Sequence, residues 1–212
     1  MRRQFITLEG IEGAGKTTAL QFIEQYLQQA NKMIVCTREP GGTEIAEEIR
    51  NVLLYPASRD TMQPKTELLL MFAGREQHIH AVIKPTLAAG KWVLSDRYID
   101  ASYAYQGGGR GIPVTDIQLL DKVIVKDIYP DLTLLLDLPA ELGVARAASR
   151  GKVVDRIEAE KVDFFVRVRN AYLERAKEAP GRIKIIDASQ SIENVQTQIR
   201  HVLDEFLKRV PA

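Results

Sequence analysis

Cysteine is nearly absent. Cys36 is the only one in 212 residues, so no intramolecular disulfide can form. It ends the run Met33-Ile34-Val35-Cys36, where a small residue buried in a strand is the expected role. Net charge is almost absent too, at +1. A chain built to coat nucleic acid or an anionic membrane needs a large excess of Lys and Arg, so neither partner is expected; the sum still leaves room for a local basic cleft. No apolar run approaches the roughly 18 residues of a membrane span. The opening Met1-Arg2-Arg3-Gln4 turns polar too early for a signal peptide, and the expected location is the cytoplasm. His78, His80 and His201 have no spacing to cysteine or carboxylates that suits a transition metal and are expected as ordinary surface or helix residues. No Ser-His-Asp constellation, internal repeat or guanine-reading Asn-Lys-x-Asp occurs.

What is present is the composition of one α/β domain, 45% apolar and 27% charged. Short apolar runs at 5–8, 33–36, 92–94, 132–138 and 183–186 read as strands. Helical spacing fills 17–30, 45–54, 66–89, 115–126, 139–149, 163–177 and 192–208 between and after them. Ile45, Ile49 and Val52 share one helix face, and Gly90 stops the long helix before it. Such alternation predicts a parallel sheet covered by helices on both faces, with ligands bound beyond the carboxyl ends of the strands.

The first strand runs into Gly10-Ile11-Glu12-Gly13-Ala14-Gly15-Lys16-Thr17, a complete G-x-x-x-x-G-K-[ST] between a strand and a helix. Its glycines let backbone N–H groups turn inward around an anion, and the helix start adds a positive dipole end. Lys16 is suited to the β and γ phosphates of a nucleoside triphosphate, and the Thr17 hydroxyl to Mg²⁺.

The second strand runs into Thr37-Arg38-Glu39-Pro40-Gly41-Gly42-Thr43, where Arg38 can offer a fork of donors to a second phosphate. The third ends in Ser95-Asp96-Arg97-Tyr98, pairing a candidate Mg²⁺ ligand with a candidate phosphate ligand. Asp137 after the fourth strand is the rival for the metal, and Asp96 is preferred because Arg97 adjoins it. On the long helix, Met71 and Phe72 lie four and three residues before Arg75, so either can cover a base whose edge Arg75 reads. Tyr103, Tyr105 and Gln106 lead into Gly107-Gly108-Gly109-Arg110-Gly111, which suits a loop closing near a ligand. Arg146, Arg150, Lys152 and Arg156 surround Gly151, the composition of a hinged lid over phosphates.

These segments together resemble the bacterial thymidylate kinases over nearly the whole chain. The carriers are Glu9 to Thr18, Thr37 to Thr43, Asp96-Arg97-Tyr98, Ala104 to Gly111 and Asp155-Arg156-Ile157-Glu158. The resemblance implies a single domain over 1–212. It would be a three-layer P-loop NTPase fold with a five-stranded parallel sheet and a small mobile lid near 146–157. It implies transfer of the γ-phosphoryl of ATP to dTMP with Mg²⁺, and a homodimer. Gly10 to Thr18 would hold ATP, with Lys16 on the phosphates and Thr17 and Asp96 serving the metal. Glu12 would face the acceptor 3′-hydroxyl, and Arg38 and Arg97 the acceptor phosphate. Phe72 or Met71, Arg75, Ser102 and Gln106 would surround thymine, and Tyr105 would crowd the 2′ position. The loop carries no arginine, so Arg150 or Arg146 would supply charge to the transferring phosphoryl.

Overall fold

The alternation of apolar side chains along the strands divides the core. In β1 (Phe5–Glu9), Ile6 and Leu8 join one buried cluster and Phe5 another; in β3 (Trp92–Asp96), Trp92 and Leu94 join the first and Val93 the second. Both faces are therefore buried, as a parallel sheet requires. With β2 (Ile34–Arg38), β4 (Leu132–Asp137) and β5 (Ile183–Asp187) these strands form one parallel sheet in the order β2-β3-β1-β4-β5. The computed structural model describes residues 4–56, 60–149, 151 and 154–209.

The helices are α1 (Lys16–Gln29), α2 (Glu44–Leu54), α3 (Pro64–His78), α4 (Lys84–Ala88), α5 (Ile99–Ser102), α6 (Val114–Ile124), α7 (Ala140–Ala148), α8 (Val162–Glu178) and α9 (Ile192–Arg209). Local chemistry sets their ends. Thr43 Oγ1 accepts from Ala46 N at 3.1 Å to cap α2, and Pro64 opens α3 where its missing N–H costs nothing. Gly90, at φ +76, closes the stretch begun by α3, as its left-handed backbone allows. That stretch passes through a π-helical turn at Ile79–Ile83, and a second π segment, Tyr103–Gly109, extends α5. Among the described residues no helix is long and apolar enough to cross a membrane.

Two expectations change, and the facing of α2 is added. Tyr103–Gly109 is not a loop: Gly108 and Gly109 let the π segment press against α8, where added Cβ atoms would meet Ala171 at 2.6 Å and Phe164 at 2.5 Å. Cys36 is exposed, because β2 is an edge strand. On α2 the buried residues are Ala46, Leu53 and Leu54, while Ile45 and Val52 face outward.

The register brings the site together. Leu8 and Arg38 both pair with Asp96, so the carboxyl ends of β1, β2 and β3 stand side by side. The phosphate loop, the Arg38 turn and Asp96-Arg97 meet there.

Candidate active site

Beyond those strand ends lies a cleft of about 340 Å³ lined by Glu12 to Thr17, Arg38, Asp96, Arg97, Tyr105 and Gln106, with Met71 and Arg156 across from the loop. The loop is tightly constrained. At Gly13, φ +76, an added Cβ would sit 2.0 Å from the carbonyl oxygen of Gly143 in α7, so both glycines are needed for the contact. Lys16 Nζ donates to the carbonyls of Gly10 and Ile11, each at 3.0 Å. Partial burial, then repulsion from Arg97, lowers its pKa to about 8. An arriving phosphate would relieve both effects.

Arg97 organises the opposite wall. Its backbone sits at φ +68, an uncommon position for a side chain of this size, held by its N–H to Leu8 O at 2.9 Å and by Ser95 Oγ donating to its carbonyl at 2.8 Å. Its guanidinium donates to Glu12 Oε1 at 2.8 Å and to the Tyr172 hydroxyl at 3.2 Å, and it stacks on Tyr105 with 4.6 Å to the ring centre. The Tyr105 hydroxyl donates to the other Glu12 oxygen at 2.6 Å. Glu12, Arg97 and Tyr105 thus form one unit joining the phosphate loop to the end of β3.

Beneath that unit is Glu9, fully buried, 2.6 Å from the Tyr172 hydroxyl and accepting from Tyr98 N at 2.8 Å. Burial, then the charge of Asp100, pushes its pKa from 4.5 up to about 8. The folded chain therefore keeps a proton that the unfolded chain releases above about pH 4.5. Stability from this group is full below that pH, falls as pH rises, and is lost above about 8. Thermal melts from pH 5 to 8.5 should decline more steeply for the wild type than for Glu9→Gln. Parallel curves would refute the shift.

Arg75 is buried under the cleft wall. It donates from Nε to Glu39 at 2.8 Å, from Nη1 to Ser102 Oγ at 2.9 Å and from Nη2 to the Tyr98 carbonyl at 3.0 Å. Three of its five N–H groups are therefore in use. Ser102 is fully buried and accepts from Arg75. Of the two candidates to cover a base, Met71 lines the cleft, whereas Phe72 lies in the core under Arg75, 4.8 Å from ring centre to guanidinium carbon. Arg38, exposed on the cleft rim, pairs with Glu47 at 2.9 Å. Thr17 is exposed in the cleft, and Thr18 is exposed one residue further along α1.

The metal rivals separate cleanly. Both Asp137 oxygens bind Arg169, at 2.7 and 2.9 Å, whereas Asp96 Oδ1 is buried with no hydrogen-bond partner among the described residues. Of the arginines expected in a lid, Arg146 donates to the carbonyls of Ala188 and Ser189, at 2.8 and 3.4 Å. Arg150 lies outside the described residues. Arg156 holds the Leu53 carbonyl at 2.8 Å and stands 2.7 Å from Glu67.

Some site residues carry weaker sequence signals. Arg50 lines the cleft and donates to the Pro40 carbonyl at 2.8 Å; its signal is its place four residues after the buried Ala46 on α2. His78 is not at the surface: its ring bridges Glu39 and Thr37 at 2.9 and 2.7 Å, inside the wall that carries Arg75. His80 and His201 are exposed, as expected.

The Thymidylate kinase family model matches residues 8–199. The chain belongs to the thymidylate kinase family. The thymidylate kinase of Ruthia magnifica is 52% identical over 202 residues, 95% of this chain and 98% of the relative. That of Pseudomonas putida strain F1 is 52% identical over 205 residues, 97% of each. The crystal structure of thymidylate kinase from Ehrlichia chaffeensis superposes with a TM-score of 0.77 at 35% identity, covering 96% of this chain and 99% of that one. The chain is therefore a kinase acting on nucleotides, and its sheet is the P-loop NTPase sheet of that family.

Proposed function

We propose that the chain phosphorylates dTMP to dTDP at the expense of ATP and Mg²⁺, a step toward dTTP. The observation that carries the reading is the Arg97–Glu12 contact of 2.8 Å, which joins the triphosphate loop to a second, arginine-bearing half of one cleft. ATP would lie along Gly10 to Thr18 with Lys16 at its terminal phosphates, and dTMP would lie between Arg38, Arg97, Tyr105, Gln106 and Met71. Arg75 is the residue for a thymine carbonyl, with Phe72 and Ser102 supporting it from below. Tyr105, fixed on Glu12, fills the space a ribose 2′-hydroxyl would need, and Glu12 is left to meet the 3′-hydroxyl.

Asp96 and Thr17 offer hard oxygen donors, and the unpartnered Asp96 Oδ1 fits a water-bridged or direct magnesium contact. Among the described residues no group of three His, Cys, Asp or Glu forms a ready metal cage, so phosphate oxygens and water would complete the shell. When bound, Mg²⁺ neutralises charge shared between the β and γ phosphates. The chain aligns two polyanions and offsets their repulsion with the loop amides, Lys16, Arg38 and Arg97. Phosphate oxygen is already nucleophilic, so no general base is needed. Charge over the transferring phosphoryl falls to the lid, with Arg150 the candidate because Arg146 is engaged elsewhere.

ADP release from ATP and Mg²⁺ should rise strongly with dTMP and far less with dCMP, dGMP or AMP. Stimulation by another monophosphate would overturn the base assignment. No stimulation by any would overturn the kinase reaction itself.

A homodimer is supported by apolar side chains left outward on adjacent helices: Ile45 and Val52 on α2, Leu69 on α3, and Leu119 and Val123 on α6, the last two 67% and 61% exposed. Single exposed apolars are ordinary, but five on helices that pack in the order α2, α3, α6 offer apolar surface for a second copy to cover. The double variant Leu119→Glu, Val123→Glu should sediment as a monomer where the wild type sediments as a dimer. A wild-type monomer at micromolar concentration would refute the proposal. Reducing cytoplasm suits the exposed Cys36.

A further inference from the structure

Glu67, at the first turn of α3, is a carboxylate with almost no exposure, yet it lies on the wall of the cleft. Its Oε1 accepts from Gln106 Nε2 at 2.8 Å. Arg110 Nε reaches both of its oxygens, at 3.3 and 3.1 Å, and Arg156 Nη2 stands 2.7 Å from Oε2. Set between two guanidiniums, this carboxylate accepts hydrogen bonds from its neighbours. The Gln106 amide has one orientation compatible with it, nitrogen toward Glu67. The opposite end, Gln106 Oε1, is then a fixed acceptor, and it is buried at the cleft with no partner among the described residues. An acceptor left unmet in a buried wall is costly unless a ligand N–H completes it.

We propose that Glu67 is a specificity-determining positioning residue, which locks the Gln106 amide so that the cleft presents an acceptor to the ring N3–H of the bound base. This rests on the reading of dTMP as the acceptor substrate. Thymine carries a hydrogen at N3 and satisfies Gln106 Oε1; cytosine carries a lone pair there and meets repulsion. Without the charge of Glu67 the amide can turn either end to the base, and the discrimination weakens. The same carboxylate pairs with Arg156, so base selection and the turn at Asp155-Arg156 share one anchor.

The test uses the full chain with Glu67→Gln, which keeps the shape and removes the charge, and Gln106→Leu, which removes the amide. In each, the KM for dTMP and the competitive inhibition constant of dCMP are measured, with thermal melts as a check of folding. The expected result is a fall of about tenfold in the dCMP-to-dTMP ratio in both variants, with the KM for dTMP rising in each. Arg110→Gln, which loosens Glu67 but keeps its charge, should hold the wild-type ratio. A ratio unchanged in Glu67→Gln, or in Gln106→Leu should the first variant not fold, overturns the role of Glu67 while leaving dTMP as substrate. A proportional weakening of both nucleotides overturns it as well, since that is the mark of general damage. A wild-type chain that prefers a monophosphate other than dTMP overturns the acceptor reading and the N3–H contact with it.

Discussion

Lys16→Ala is expected to lower kcat by about a thousandfold or more, some 4 kcal/mol of transition-state stabilisation, and to leave the fold intact. The loop is rigid without the side chain, because Gly13 against Gly143 and the strand-to-helix turn set its course. The lysine instead rests on two loop carbonyls with its pKa lowered to about 8 by burial and by Arg97. Removing a cation that the folded chain holds at a cost should leave the melting temperature unchanged or raised. Activity and stability should thus move apart, with kcat collapsing while the melt holds. With Lys16 on the donor phosphates, as proposed, KM for dTMP should change little compared with kcat. A folded variant with turnover near the wild-type rate would sink the assignment of the loop.

The sequence made the loop legible because its constraints are local: glycines, a strand before and a helix after are all within reach of one another. Arg38 and Asp96-Arg97 were legible for a different reason. In a parallel sheet the residues after successive strands reach one edge, whatever the order of the strands, and the register of Leu8 and Arg38 on Asp96 bears this out. Facing was harder to read. Met71 and Phe72 differ by about 100° around a helix, and only the second core cluster, built from Phe5, Val93 and Ile117, decides that Phe72 turns inward and Met71 meets the cleft. His78 lies on a helix, as one of the two expectations had it, but its burial was not legible because its partners, Thr37 and Glu39, lie about 40 residues away. The glycine run at 107–109 signals close approach, but the sequence does not say whether a ligand or a helix approaches; here it is α8. Ile45 and Val52 do follow a helix face, and that face looks outward.

Arg97→Ala is expected to lower kcat/KM for dTMP by about a hundredfold to a thousandfold. Three contacts end with it: the pair with Glu12, the bond to Tyr172 and the stack on Tyr105. Glu12 would then keep only Tyr105, and an uncompensated carboxylate would face the phosphates of both substrates. The loss should therefore exceed that of one phosphate contact. Arg97→Lys makes the argument sharper. A lysine keeps the positive charge but not the planar fork that reaches Glu12 and Tyr172 from one group, so charge alone should restore less than about a tenth of the lost activity. Arg97→Gly separates the backbone from the side chain. Glycine accepts φ +68 without strain, so its melt should not fall below that of Arg97→Ala, while its activity should be as low. Full activity in Arg97→Lys would reduce the residue to a point charge. A loss seen only in KM for ATP would move Arg97 from the shared wall to the donor side and undo the joined cleft on which the proposed reaction stands.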